Sequence, residues 1–148
     1  MYNHILIATD GSELASRAVS HGVTLAKENK APVTVVTVTD WWSALDMAHE
    51  SRKGNRNPLA QYEAQAAAAA KKVLLQAGEL AKSQGVQCEL IHVPDQHAAD
   101  GIVATAKKKA CDLIVMASHG RRGVDRILLG SRAYEVLTQS KVPVLIVR

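Results

Sequence analysis

The stretch from Asp112 to Ser131, DLIVMASHGRRGVDRILLGS, holds the residues best suited to chemistry. An apolar run from Leu113 to Ala117 stops at a polar loop carrying Gly120, Gly123 and Gly130. The loop ends in Gly130-Ser131, and an apolar-periodic stretch follows from Ala133 to Leu137. This order reads as strand, glycine-rich loop, helix. Backbone amides left uncovered by missing side chains, aimed at a point beside a helix N-terminus, hold anions. Arg121, Arg122, Arg126 and Arg132 add positive charge. The chemistry expected of such a segment is the grip on a phosphate, above all that of a nucleotide. The competing reading is a loop whose glycines serve turns. Glycines, arginines and a serine at a helix start together favour the ligand.

The loop matches neither common phosphate fingerprint. GxGxxG is absent, which argues against a dinucleotide site, and GxxxxGK[ST] is absent, which argues against a P-loop NTPase. What stands is Ala117-x2-Gly120-x9-Gly130-Ser131, in which the Ser131 hydroxyl is an extra donor. His119 could contact phosphate or move a proton, but no partner acid or nucleophile accompanies it. Arg121 and Arg122 fit a bidentate phosphate clamp and equally fit solvated loop charges. Ser12 lies outside any GxSxG elbow and reads as a helix cap, a role that Asp10 could equally fill. His4, His21, His49, His92 and His97 show no ligand spacing, so no protein-held metal is expected. Magnesium carried by phosphates fits.

These residues need a frame. His4 to Thr9 reads as a buried strand, broken by Asp10-Gly11-Ser12. Ala15, Ala18, Val19, Gly22, Leu25 and Ala26 recur at helical spacing. Val33 to Thr39 (VTVVTVT) is a second strand. Asp40 to Asn57 has no clear period and reads as a long loop with Trp41 and Trp42 at its base. Those rings could cover a base or anchor the loop. Asn57-Pro58 starts a helix that runs to about Ser83, with Ala66, Ala70, Val73, Leu74, Ala77 and Leu80 inward. Val86 to Val93 is a third strand. Asp95 is placed to cap a helix with Ala98, Ile102, Val103, Ala106 and Ala110 inward. Asp112 to Ala117 is the fourth strand, and Val142 to Val147 the fifth after a helix ending near Ser140. Such alternation predicts an α/β fold, a doubly wound five-stranded parallel sheet with helices on both faces. Its crevice lies beyond the carboxyl ends of the strands. If the first and fourth strands are neighbours, Asp10 faces the glycine loop.

Composition sets outer bounds. The 148 residues suit one domain, 1–148, large enough to bury a core without metals or disulfides. Phe is absent and the apolar set is aliphatic, as a parallel sheet covered on both faces requires. The net charge of +4 is dispersed. Lys107-Lys108-Lys109 reads as a solvated helix end, so no nucleic-acid partner is expected. Cys88 and Cys111 form no CxxC and read as core residues. No apolar stretch reaches the ~20 residues of a membrane span. The N-terminus enters a strand at once with no signal-like segment, which makes a cytoplasmic setting the expectation.

The ATDGS turn, the ASHG-x9-GS segment and the closing PVLIVR resemble the universal stress protein family, and the resemblance covers essentially the whole chain. The family's nucleotide-binding members carry G-x2-G-x9-G-[ST]; Gly120, Gly130 and Ser131 match, and Ala117 stands at the first glycine. The extra methyl restricts positive φ and either narrows an adenosine pocket or leaves it unchanged. The resemblance implies a Rossmann-like sheet of order 3-2-1-4-5 with ATP, ADP or AMP as ligand. Asp10 would then meet the adenosine end, and Val38 and Met116 would line the base or ribose. Gly120, Gly130, Ser131 and the Arg132 amide would hold the phosphates. With Thr9, Ala117, His119, Arg121 and Arg122 these are the expected nucleotide contacts.

The fifth strand, Val142 to Val147, is expected at the sheet edge, where unpaired backbone groups invite a second copy. The resemblance implies the same homodimer. The expected role is sensing or regulation in a stress response, with ATP as ligand and the protein partner unspecified. Slow ATP hydrolysis is an alternative, although no positioned general base can be named. Another is a dimeric interaction module that uses no nucleotide, which Ala117 favours.

Overall fold

A computed structural model gives the architecture, described for residues 1–41, 44–54, 56–120 and 128–148. The strands are β1 (Ile5–Ala8), β2 (Val33–Val38), β3 (Cys88–Val93), β4 (Leu113–Ala117) and β5 (Val144–Val147). The helices are α1 (Glu13–Asn29), α2 (Ala44–Arg52), α3 (Pro58–Ser83), α4 (Ala98–Lys108) and α5 (Ser131–Gln139). All five strands are parallel, in the order β3-β2-β1-β4-β5. The doubly wound sheet expected from the alternation is the one observed.

Alternate residues of each strand feed two aliphatic cores. Ile5, Ile7, Val33, Val35, Leu113 and Val115 pack against Ala18, Val23 and Ala26 of α1 and Leu74, Ala77 and Ala81 of α3. Leu6, Ala8, Val36, Ile114 and Met116 pack against Ala99, Ile102 and Ala106 of α4 and Ala133 and Val136 of α5. Helices therefore cover both faces. β1 sits in the middle of the sheet, with Ile5 opposite Val33 on one side and Leu113 on the other. The chain leaving β1 turns back through α1 toward β2, and the chain leaving β4 turns back through α5 toward β5 on the opposite face. The carboxyl ends of β1 and β4 are thus the point where the winding reverses and a crevice opens.

Five expectations need correction. Ala110 does not face inward on α4, because the helix ends at Lys108 and Ala110 is exposed with a positive φ of 53°. The segment from Asp40 to Asn57 is not loop throughout, because Ala44–Arg52 forms α2. Its Ala, Leu, Met, Glu and Arg are good helix formers, but its apolar residues stop at Ala48, too short a run to establish a helical period. Asp95 does not cap α4. It takes a positive φ of 55°, and His97 holds the N-cap position without a side-chain cap. Short polar Asp tolerates that left-handed turn. Cys111 is buried in the core, whereas Cys88 is only partly buried at the edge strand β3. Strand ends are also shorter than the apolar runs suggest, β5 starting at Val144 and not Val142. No helix among the described residues is long and apolar enough to cross a membrane.

Candidate functional site

The turn after β1 is built by short polar side chains. Thr9 Oγ1 accepts from the Gly11 amide at 3.2 Å, and Asp10 Oδ1 accepts from the Ser12 amide at 2.9 Å. Gly11 has a φ of 79°, the left-handed region that glycine enters without cost. Ser12 is the true N-cap of α1, its hydroxyl accepting from the Ala15 amide at 3.2 Å. Asp10 therefore holds the turn with one carboxylate oxygen. Its other oxygen, Oδ2, lies 2.7 Å from where a Cβ on Gly120 would sit, so any side chain at 120 would collide with it. Thr37 on β2 braces the turn from the neighbouring strand, its hydroxyl donating to the Thr9 carbonyl at 2.6 Å.

The turn after β4 begins at Ser118, whose amide donates to the Val147 carbonyl at 2.8 Å. The Ser118 carbonyl accepts from the Gly130 amide at 2.8 Å, which pins the start of α5 to the end of β4. A Cβ on Gly130 would lie 2.6 Å from that same carbonyl oxygen. Glycine is required at 130 for space, since its φ of −61° and ψ of 152° suit any residue. No side chain caps α5. The first turn of any helix presents backbone N–H groups without intrahelical partners, and here those of Ser131, Arg132 and Ala133 follow directly on Gly130. His119 Nδ1 and Ser118 Oγ are 2.9 Å apart.

These turns wall one cavity of about 590 Å³ over the carboxyl ends of β1, β2 and β4. Thr9, Asp10, Val38, Met116, Ala117, His119, Gly120, Gly130, Ser131 and Arg132 all line it. Arg121 and Arg122 lie outside the described residues, as do Gly123, Arg126 and Trp42. Trp41 is described, and its residue is 73% exposed. Ala117 sits within β4 in register with Val147 and is not among the residues of positive φ. Its methyl therefore costs no backbone strain.

The cavity also has walls that the sequence reading passed over. Ala66, Ala69, Ala70 and Val73 of α3 form one of them, at the i, i+3, i+4, i+7 spacing of a single helix face. Thr37, Thr39, Ala98, Ile102 and Ser118 also line the cavity, with Ala8, Ala15, Val36 and Ala133. The inward stripe of α3 was legible as an apolar face, but nothing in that pattern separates a face on the core from a face on a void. The cavity is consequently divided. Val38, Ile102 and Met116, which belong to the core under α4, make an apolar end, and the α3 alanines make a second apolar wall. Asp10, His119 and Arg132 gather with Thr9 and Ser131 at a polar end, where Gly120 lies beside Asp10 and Arg132, and Gly130 beside His119. Arg132 Nη2 donates to Asp40 Oδ2 at 2.8 Å across the mouth.

Comparison with known proteins places this arrangement. The model of the universal stress protein family matches residues 1–148. Universal stress protein MJ0531 of Methanocaldococcus jannaschii is 36% identical over 151 residues, covering 100% of this chain and 83% of that protein. The solved structure of MJ0577 from the same organism superposes with a TM-score of 0.80 at 27% identity, covering 99% of this chain and 96% of that one. A universal stress protein solved in complex with cAMP superposes at 0.71 with 25% identity, covering 99% and 97%. The match of the family model along the full chain, with relatives at this identity, has one conclusion: the chain belongs to the universal stress protein family.

Proposed function

We propose that the chain binds an adenine nucleotide, ATP or its ADP and AMP counterparts, in the crevice between β1 and β4, and that occupancy serves a sensing or regulatory role in a stress response. The observation that carries this reading is the division of a single cavity. Its volume of about 590 Å³ falls within the ~300–1,000 Å³ of small-molecule sites. Its apolar end suits a flat heterocycle, with Val38, Ile102 and Met116 against the base. Asp10, which lines the cavity, would accept from ribose hydroxyls. The glycine wall and the first amides of α5, from Ser131 and Arg132, suit phosphate oxygens. The relative solved with cAMP supports an adenine nucleotide as the ligand class. Magnesium would arrive with the phosphates, which supply most of its oxygen ligands. Binding is the central act in this reading, and turnover is secondary.

A second copy belongs to the proposal. β5 is an edge strand, and Leu145 on it is 40% exposed. Backbone pairing of two such edges about a twofold axis would satisfy both. Exposed Tyr134 and Leu137 on α5 and Leu145 on β5 favour a second reading, a dimeric interaction module that uses no nucleotide. Calorimetric titration with ATP and magnesium, joined to mass spectrometry of ligand retained on the purified protein, separates the two. Heat saturating at one site per chain is the result expected. No heat and no thermal shift at millimolar ATP leaves the interaction module.

A further inference from the structure

Two features of the cavity mouth meet at Arg132. Its Nη2 donates to Asp40 Oδ2 at 2.8 Å, across 92 positions of sequence. Its Nη1 lies 4.0 Å from the point that a Cβ on Gly120 would occupy. The guanidinium is thus a fork with one prong on Asp40 and the other beside the glycine wall. Asp40 lies two residues beyond the end of β2, and its carbonyl accepts from the Tyr62 hydroxyl of α3 at 2.9 Å. Through these two bonds Asp40 ties the first turn of α5 to α3. The side chains of the ion pair are 43% and 49% exposed, so the pair is weak and open to exchange.

We propose that Asp40 is an internal competitor for the ligand's phosphate, holding the Arg132 guanidinium until a nucleotide phosphate takes it. The inference rests on the nucleotide reading of this site. A phosphate carries more charge than a carboxylate and accepts both prongs of an arginine fork, so the exchange runs toward the ligand. Asp40 then sets affinity for phosphate-bearing ligands while having no effect on the nucleoside part. It also carries the news of occupancy outward, because Trp41 is the next residue and is 73% exposed. Trp41 and Trp42 are the only tryptophans of the chain, so tryptophan emission reports on this segment alone.

The test compares wild type with Asp40→Asn, each titrated with magnesium ATP and with adenosine while heat and tryptophan emission are followed. Asp100→Asn serves as a charge control, since the Asp100 and Asp40 carboxylates both act on His97. The expected result is ATP bound about two- to fivefold tighter by Asp40→Asn, the factor an exposed ion pair carries. Adenosine affinity should be unchanged, and Asp100→Asn should behave as wild type. The gain should shrink as salt screens the competing pair. In wild type the emission change should saturate with the heat, and in Asp40→Asn most of it should vanish. Equal or weaker ATP binding by Asp40→Asn, an equal gain for adenosine, or an equal gain in the control each overturns the proposal. If neither wild type nor variant binds ATP, the nucleotide reading itself fails and the competition with it. If both bind ATP alike with the same emission response, the nucleotide reading stands and only the role of Asp40 falls.

Discussion

Gly130→Ala tests the polar end of the cavity most directly. The added methyl would lie 2.6 Å from the Ser118 carbonyl oxygen, against the 3.4 Å of ordinary contact, so the two must part by 3.4 − 2.6 = 0.8 Å. The same carbonyl accepts from the Gly130 amide at 2.8 Å, and a separation of that size breaks the bond. Backbone at φ −61° and ψ 152° accepts alanine, so no torsional strain enters. Alanine is nevertheless a poor N-cap, which adds ~1 kcal/mol to the ~1–3 kcal/mol of overpacking. For a domain of this size that total lowers Tm by roughly 5–15 °C. Binding is affected separately. Displacing the first amides of α5 removes a charge-assisted bond to phosphate worth ~1.5–3 kcal/mol, about ten- to hundredfold in affinity. Calorimetric titration well below Tm, with magnesium ATP and then adenosine, reads both ends of the cavity. ATP should weaken by that factor, while adenosine should stay within about threefold of wild type. ATP affinity within about twofold of wild type, alongside the expected fall in Tm, refutes the assignment of phosphate to these amides.

Three further outcomes follow from the geometry. Ala117→Gly should cost ~0.5–1 kcal/mol of stability, seen by urea unfolding, and should not tighten ATP, because Ala117 lies in regular β4 with no positive φ to relieve. If two copies pair through β5 as proposed, Leu145→Lys should shift the mass measured by light scattering from two chains to one, since a charge on an exposed edge strand opposes pairing. Asp112→Asn should be destabilised at neutral pH by ~1–2 kcal/mol. Burial pushes the Asp112 carboxyl up, but the amides of Asn3 and His4 and the Asn3 side chain together hold it below the ordinary range. A carboxyl depressed in the folded state stabilises above its unfolded value of ~3.9 and loses that contribution as pH falls through the folded one. The gap between wild type and Asp112→Asn should therefore close as urea unfolding is repeated below pH ~4.

The fold was legible because every strand and every helix but α2 carried its own local signature. The β-branched run Val33 to Val38 could be little but a strand, and Asn57-Pro58 opens α3 with the Asn57 side chain accepting from the Ala60 amide at 3.4 Å. Where a signature was missing, the reading failed for the same reason. α2 has helix-forming residues but only one turn of apolar ones, Ala44 to Ala48, so propensity spoke for it more than period did, and propensity is weak beside packing. Asp95 shows the opposite fault: a residue with two common uses, cap and left-handed turn, was given the wrong one.

The site divides along similar lines. The expectation for Gly130 and Ser131 rests on residue types at a helix start, whereas those for Asp10 and Gly120 are what the family resemblance implies. The α3 wall and the Asp40–Arg132 pair rest on relations between positions. Ala66, Ala69, Ala70 and Val73 would present the same spacing whether they met side chains or empty space. Their smallness is informative only once β1, β2 and β4 end beneath them, since short side chains cannot fill the volume that the strands leave open. Asp40 and Arg132, 92 positions apart, become partners because β2 and α5 open on the same crevice. A cavity is thus a property of what facing surfaces fail to fill, and the sheet order that sets those faces opposite each other has to be known before the void can be read.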